Sequence, residues 1–229
     1  MFFAPFLIIY GVLLFLLLGF VFVLIQIGVI HYAFQMLGLS PNLAFLALLA
    51  SLIGSYINIP LTRIHGGPPH PVELVNRFGV RYRVPMRYAD DGATTIAINF
   101  GGAIVPILIS LYVLHAQPGA LLPALLGVAI VAAVVHRFAR PVPGLGIATP
   151  MFIPPIVAAL TAWFLGSFFN MPHHVDAFAY VGGTMGTLVG ADILNLRRIG
   201  DLGAPVASIG GAGTFDGVFL TGIVAVLLA

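Results

Sequence analysis

The chain has 229 residues, of which 60% are hydrophobic and 7% charged, with a formal net charge of +2 and no cysteine. A soluble domain carries about a quarter of its residues as Asp, Glu, Lys or Arg, so this composition excludes a water-exposed surface on every side and, with it, a separate soluble domain. The missing thiols exclude disulfides, cysteine-ligated metals and thiol nucleophiles, and the nine basic residues, all Arg and all in connections, form no nucleic-acid footprint.

A bilayer core about 30 Å thick takes about 20 apolar residues per helix. Apolar runs between polar, Pro or Gly punctuation predict seven spans, at 6–30, 43–61, 93–114, 120–135, 144–165, 178–196 and a last one ending at Ala229. The expected fold class is therefore all-α: one integral membrane domain over 1–229, a polytopic helix bundle with broken or kinked members. Run 6–30 is longer than the apolar core of a signal peptide and no Lys or Arg precedes it, so it reads as a retained first span.

Between spans two and three lie Arg63, Arg77, Arg81, Arg83 and Arg87; between four and five, Arg137 and Arg140; between six and seven, Arg197 and Arg198. These are alternate connections, and the intervening ones contain no Arg. The positive-inside rule then puts the N-terminus in the cytoplasm and the C-terminus outside, in a plasma membrane. The long connection 62–91 contains a β-prone stretch, 72–86, with the composition of a small hairpin. Asp90 and Asp91 precede span three as helix-capping residues. Gly101, Gly102 and Pro106 predict a kink in that span. In span five, Pro150, Pro154 and Pro155 predict an irregular 144–153 and a regular helix from about Pro154. Gly182, Gly186 and Gly190 recur at every fourth residue of span six and offer a neighbouring helix a smooth face.

Two carboxylates fall inside the hydrophobic region, Asp192 near the end of span six and Asp216 near the start of span seven. Asp192, five residues before Arg197, is about 7.5 Å from the inner edge, and Asp216 about 10 Å from the same edge, so the two share a depth. Facing carboxylates in a low-dielectric site share a proton, and one then acts as base and the other as acid on a water molecule. The same groups equip a proton-coupled carrier; each Asp capping a helix or pairing with Arg197 or Arg198 is the structural alternative. Around Asp216 the glycine-rich run Gly210, Gly211, Gly213, Thr214 and Gly217 leaves amides open to a ligand or lets helices approach closely. Asn58 and Asn99 lie in the cytoplasmic halves of spans two and three and complete a polar pocket. His173, His174 and Asp176 are too commonplace a spacing to assign a metal. No cofactor motif is present.

Gly190-Ala191-Asp192, Leu202-Gly203-Ala204-Pro205-Val206, the stretch from Gly210 to Gly217 and Ala97-Ile98-Asn99-Phe100-Gly101-Gly102-Ala103 resemble an uncharacterised prokaryotic membrane family, domain of unknown function 1614. A more distant likeness is to presenilin and signal-peptide-peptidase type intramembrane aspartyl proteases. In those, one Asp follows a Tyr in span six and the other ends a Gly-x-Gly-Asp motif that opens span seven. The likeness implies catalytic roles for Asp192 and Asp216. Ala191 stands in place of the Tyr, Thr214 and Phe215 separate the glycines from Asp216, and Pro123-Ala124-Leu125 lies upstream rather than after span seven.

Three readings stay open: an intramembrane hydrolase acting on a membrane-embedded peptide, a proton-coupled transporter or channel for a small solute or ion, and a non-catalytic scaffold. The lipid bilayer is the partner common to all three, with no nucleic acid; the sequence leaves the oligomeric state open.

Overall fold

The computed structural model describes residues 5–65, 74–75, 81–82, 93–142, 146–199, 206–211 and 217–229. Helix α1, Pro5–Met36, is 32 residues of almost unbroken aliphatic and aromatic side chains, about 48 Å at 1.5 Å per residue. From Tyr10 to Val29 it is exposed throughout, as befits a helix apolar on every side and surrounded by lipid. Burial begins at Ile30, Ala33, Phe34 and Leu37, one stripe at helical spacing. The helix ends on Gly38 at φ +82°, where Leu39 N–H reaches back to the Phe34 carbonyl (3.1 Å). That is a glycine-terminated stop of the six-to-one kind. Ser40 caps α2, Pro41–Gly54, with Pro41 in its first turn.

Past α2 the chain leaves the helical regime. Strand β1, Asn58–His65, pairs antiparallel with β4, Ala93–Asn99, with a bulge between Pro60 and Thr62. Short strands β2, Leu74–Val75, and β3, Arg81–Tyr82, form the antiparallel pair expected of 72–86. β4 also pairs in parallel with β7, Val206–Ile209, giving the order β1-β4-β7. This small sheet corrects the all-helical expectation, because 58–61 and 93–99 are strand rather than span. The reason is local: Pro60 cannot continue a helix, and the run Ala93-Thr94-Thr95-Ile96-Ala97-Ile98-Asn99 is dominated by β-branched side chains that prefer an extended backbone.

From β4 the chain passes through a π-helical turn, Phe100–Ile104, into α3, Val105–Ala116, with Pro106 in the first turn. The predicted kink is this turn. Helix α4, Leu121–Phe138, leads into an antiparallel pair, β5, Arg140–Val142, and β6, Gly146–Ala148. Helix α5, Ile153–Phe168, starts with Pro154 and Pro155 in its first turn, as the proline cluster predicts. Helix α6, Val175–Thr187, continues into a second π-helical turn, Leu188–Asp192, then a 3-10 turn and α7, Leu196–Ile199. Helix α8 is Gly217–Leu228.

Among the described residues, three helical stretches are long and apolar enough to cross a membrane: Tyr10–Met36, Pro118–Phe138 and Pro172–Asn195. Four others, Pro41–Gly54, Phe100–Ala116, Ile153–Phe168 and Gly217–Leu228, are apolar but shorter. The chain is thus a mostly helical membrane protein with a small sheet.

α6 is the central helix. Its glycine face meets α4: a Cβ at Gly182 would lie 3.5 Å from the Gly127 carbonyl carbon, at Gly186 2.6 Å from Val131 Cβ, and at Gly190 2.5 Å from the Ala132 carbonyl oxygen. Residue numbers rise together along the two helices, so α4 and α6 run parallel. Arg137 at the end of α4 and α7, with Arg197 and Arg198, therefore lie at the same end of the bundle. The graded distances give a test. Gly182→Ala is expected to leave thermal melting in detergent unchanged, whereas Gly190→Ala drives a methyl into a backbone carbonyl and destabilises by about 2 kcal/mol.

Candidate functional site

The polar residues of the apolar regions converge where helices hand over to strands. Asn58 opens β1 and Asn99 closes β4, and the antiparallel register sets them opposite each other. Asn99 is fully buried. Its amide nitrogen donates to the Ser55 carbonyl (2.7 Å) and to Asn58 Oδ1 (3.0 Å), and its Oδ1 accepts from Gly102 N–H (2.7 Å). The second carboxamide thus caps the π-helical turn that follows it. Ser208 on β7 donates to the same Asn58 oxygen (2.6 Å), which ties the outer strands together across β4. Ser51 Oγ donates to the Gly101 carbonyl (2.8 Å), locking α2 against the same turn.

Backbone meets backbone at the glycines. A Cβ at Gly101 would collide with the Ser51 carbonyl and the Ser55 amide, and one at Gly102 with the Gly210 carbonyl oxygen. Gly210 and Gly211, at φ +82° and +80°, turn the chain away from the end of β7 in a conformation that side-chain-bearing residues rarely adopt. From the other side, Gly210 N–H donates to Asp192 Oδ2 (2.7 Å). Gly210 is therefore gripped between two π-helical turns, Phe100–Ile104 and Leu188–Asp192. Extra-residue turns of this type recur at functional sites, and here they set Asp192, half-buried, beside Gly210.

Of the predicted site residues, Asn58, Asn99, Gly210 and Asp192 are drawn into one hydrogen-bonded frame. Gly211 makes the next step of the turn, its N–H donating to the Ser208 carbonyl (3.2 Å). Gly217 opens α8, exposed and with open space around the position of a Cβ. Gly213, Thr214 and Asp216 lie outside the described residues. Val218, two residues after Asp216, and Leu188, four before Asp192, belong to one small apolar cluster with Ile96, Ala103 and Ile209. Sequence reasoning missed Ser51, Ser55 and Ser208, whose only signal is a small polar residue in an otherwise apolar run. It also missed Asn195, fully buried, which donates to the Gly190 and Ala191 carbonyls (3.0 and 2.9 Å) and stands 3.2 Å from His136 Nδ1.

Two apolar grooves lie elsewhere. One, of about 660 Å³, opens between α1, α2 and α8; the other, of about 270 Å³, lies between α2 and α3. Among the described residues, no predicted site residue lines either of them.

No curated protein and no solved structure is similar to the chain, so the presenilin likeness finds no support there. The family model described as protein of unknown function (DUF1614) does match, over residues 52–228. That stretch runs from the end of α2 through the sheet, both π-helical turns and α8, holds every predicted site residue, and makes the chain a member of that family.

Proposed function

We propose that the chain is an intramembrane hydrolase in which Asp192 and Asp216 activate water against a membrane-embedded peptide. The observation that carries the reading is the Asp192 bond to Gly210 N–H (2.7 Å), because Gly210 is six residues before Asp216 in the chain and Asp216 immediately precedes α8. The amide fixes the orientation of the Asp192 carboxylate. With Asp216 brought alongside, the pair shares a single proton. The ionised carboxylate takes a proton from water as its oxygen adds to the peptide carbonyl carbon. The protonated carboxyl then delivers its proton to the departing amide nitrogen as the C–N bond breaks. Asn58, Asn99 and Ser208 act as positioning residues, holding the Gly210 turn rather than touching substrate.

The topology belongs to the same reading. The seven crossings of this reading are the three long apolar helical stretches together with the four shorter apolar helices. Exposed Arg63, Arg137, Arg140 and Arg198 mark the cytoplasmic face of a plasma membrane, with the N-terminus inside and the C-terminus outside.

A carrier is the second reading, favoured by the interrupted elements around Asp192, since broken helices build the sites of many transporters. One experiment separates them. The chain is reconstituted in liposomes with a panel of fluorescent single-span peptides and a trapped pH dye. Asp192→Asn keeps an oxygen for Gly210 N–H, so the fold survives. On the hydrolase reading Asp192→Asn and Asp216→Asn each reduce cleavage to background, and the wild-type rate is bell-shaped in pH. Cleavage that persists in the double variant overturns that reading. Dye-reported proton flux without cleavage, lost in the same variants, establishes the carrier. Neither activity in the wild-type chain leaves the scaffold reading.

A further inference from the structure

Helix α6 carries three hydroxyls on one face. Tyr180, Thr184 and Thr187 are spaced by four and three residues, and their exposures are 0%, 1% and 2%. Thr184 Oγ1 is satisfied, donating to the Tyr180 carbonyl (2.7 Å) and meeting Ser110 Oγ of α3 at 3.2 Å. The other two are not. The Tyr180 hydroxyl and Thr187 Oγ1 have no hydrogen-bond partner among the described residues. A threonine inside a helix ordinarily donates to the carbonyl four residues back, as Thr221 of α8 does to Gly217. Thr187, one residue ahead of the π-helical turn, does not.

Each buried hydroxyl without a partner is destabilising, and Phe or Val in place of these residues removes that cost while keeping the shape. Two such groups within about two turns, on one face of the central helix, point to an occupant that bonds to them. The face ends at Asp192. By helical rise Tyr180 is about 10.5 Å from Thr187, and Thr187 about 7.5 Å from Asp192, intervals that a few water molecules at about 2.8 Å spacing bridge. The tight packing of the Tyr180 ring against Gly222 on α8 and edge-on against Phe34 on α1 holds the phenol in place.

We propose that this face holds a file of ordered water molecules leading from the Tyr180 hydroxyl past Thr184 and Thr187 to Asp192. Its use, supplying Asp192 with water and exchanging its proton, rests on the hydrolase reading above; its existence does not. Water both donates to and accepts from hydroxyls, and bridging them immobilises it at little entropic cost.

Radiolytic hydroxyl-radical footprinting of the full chain in lipid nanodiscs tests this, because the radicals form from water at the site itself. Tyr180 is expected to be oxidised several-fold faster than Phe34 and Phe178, aromatic side chains just as buried. Thr187→Val should lower Tyr180 oxidation several-fold, and Thr187→Ser, which keeps the hydroxyl, should retain it. Tyr180→Phe and Thr187→Val should both melt below the wild-type chain. Tyr180 as silent as Phe34, with both variants melting at or above wild type, overturns the proposal, since removing a dry unpaired hydroxyl stabilises. Asp192→Asn that abolishes cleavage yet leaves Tyr180 oxidation intact supports the water file. Loss of the hydrolase reading alone leaves the oxidation pattern unchanged.

Discussion

Gly102→Ala is expected to yield no folded chain in detergent. A Cβ at this position runs into the Gly210 carbonyl oxygen, and Asn99 Oδ1 stands 3.3 Å away on another side. Neither can retreat: Gly210 is held by Asp192 (2.7 Å), and Asn99 by its bonds to Ser55 and Asn58. Backbone-on-backbone overlap of this kind exceeds the usual overpacking range, and a loss above about 4 kcal/mol follows. Gly210→Ala should be as damaging by a different route. It needs a left-handed backbone at φ +82° and places its methyl 2.6 Å from Ala103 Cβ and 2.7 Å from Ala103 N. Gly217→Ala is the control, with open space around the new methyl, and should elute and melt as the wild type does. Size-exclusion chromatography followed by a thermal melt reads all three.

Asn99→Ala is expected to destabilise by about 3 kcal/mol, at about 1–3 kcal/mol for each buried group left without a partner. Two such groups result, the Ser55 carbonyl and Gly102 N–H, while Asn58 Oδ1 keeps its bond from Ser208. Asn99→Asp should be no milder. It restores an acceptor for Gly102 N–H but offers no N–H to Ser55, and it brings a carboxylate into a fully buried position. Ser208→Ala, at a more exposed bond, serves as the small-effect comparison, with a loss under about 1 kcal/mol. Denaturant or thermal unfolding of the purified chain ranks the three. A result in which Ser208→Ala costs as much as Asn99→Ala would show that the strand-to-strand tie, and not the cap on the π-helical turn, holds the sheet to the helices.

Much of the bundle was legible in the amino-acid pattern for definite physical reasons. Apolar runs of span length announced α1, α4 and α6, and glycine at every fourth residue marked the face of α6 that meets α4. Pro154 and Pro155 located the start of α5. The sheet was not legible as a sheet. Runs 43–61 and 93–114 are mostly apolar, and hydropathy does not distinguish a buried strand from a helix. The parallel pairing of Thr95 with Val206 joins residues far apart in the chain and leaves no local trace. Asn58 and Asn99 were recognisable as polar groups at a shared depth. Their use was not, because only the register shows that the two carboxamides bond to each other. Asp192 stood out as a carboxylate in an apolar helix, but its bond to Gly210 depends on a π-helical turn that no residue pattern in 188–192 announces.

The double grip on Gly210 makes the central helix and the three strands one mechanical piece. Any sliding of the Asp192 end of α6 along its axis pulls the tip of β7, and β7 carries β4 with it through their shared ladder. Movement transmitted in this way reaches the turn before α3 through a single side-chain bond, from Gly210 N–H to Asp192, and the strand ladder.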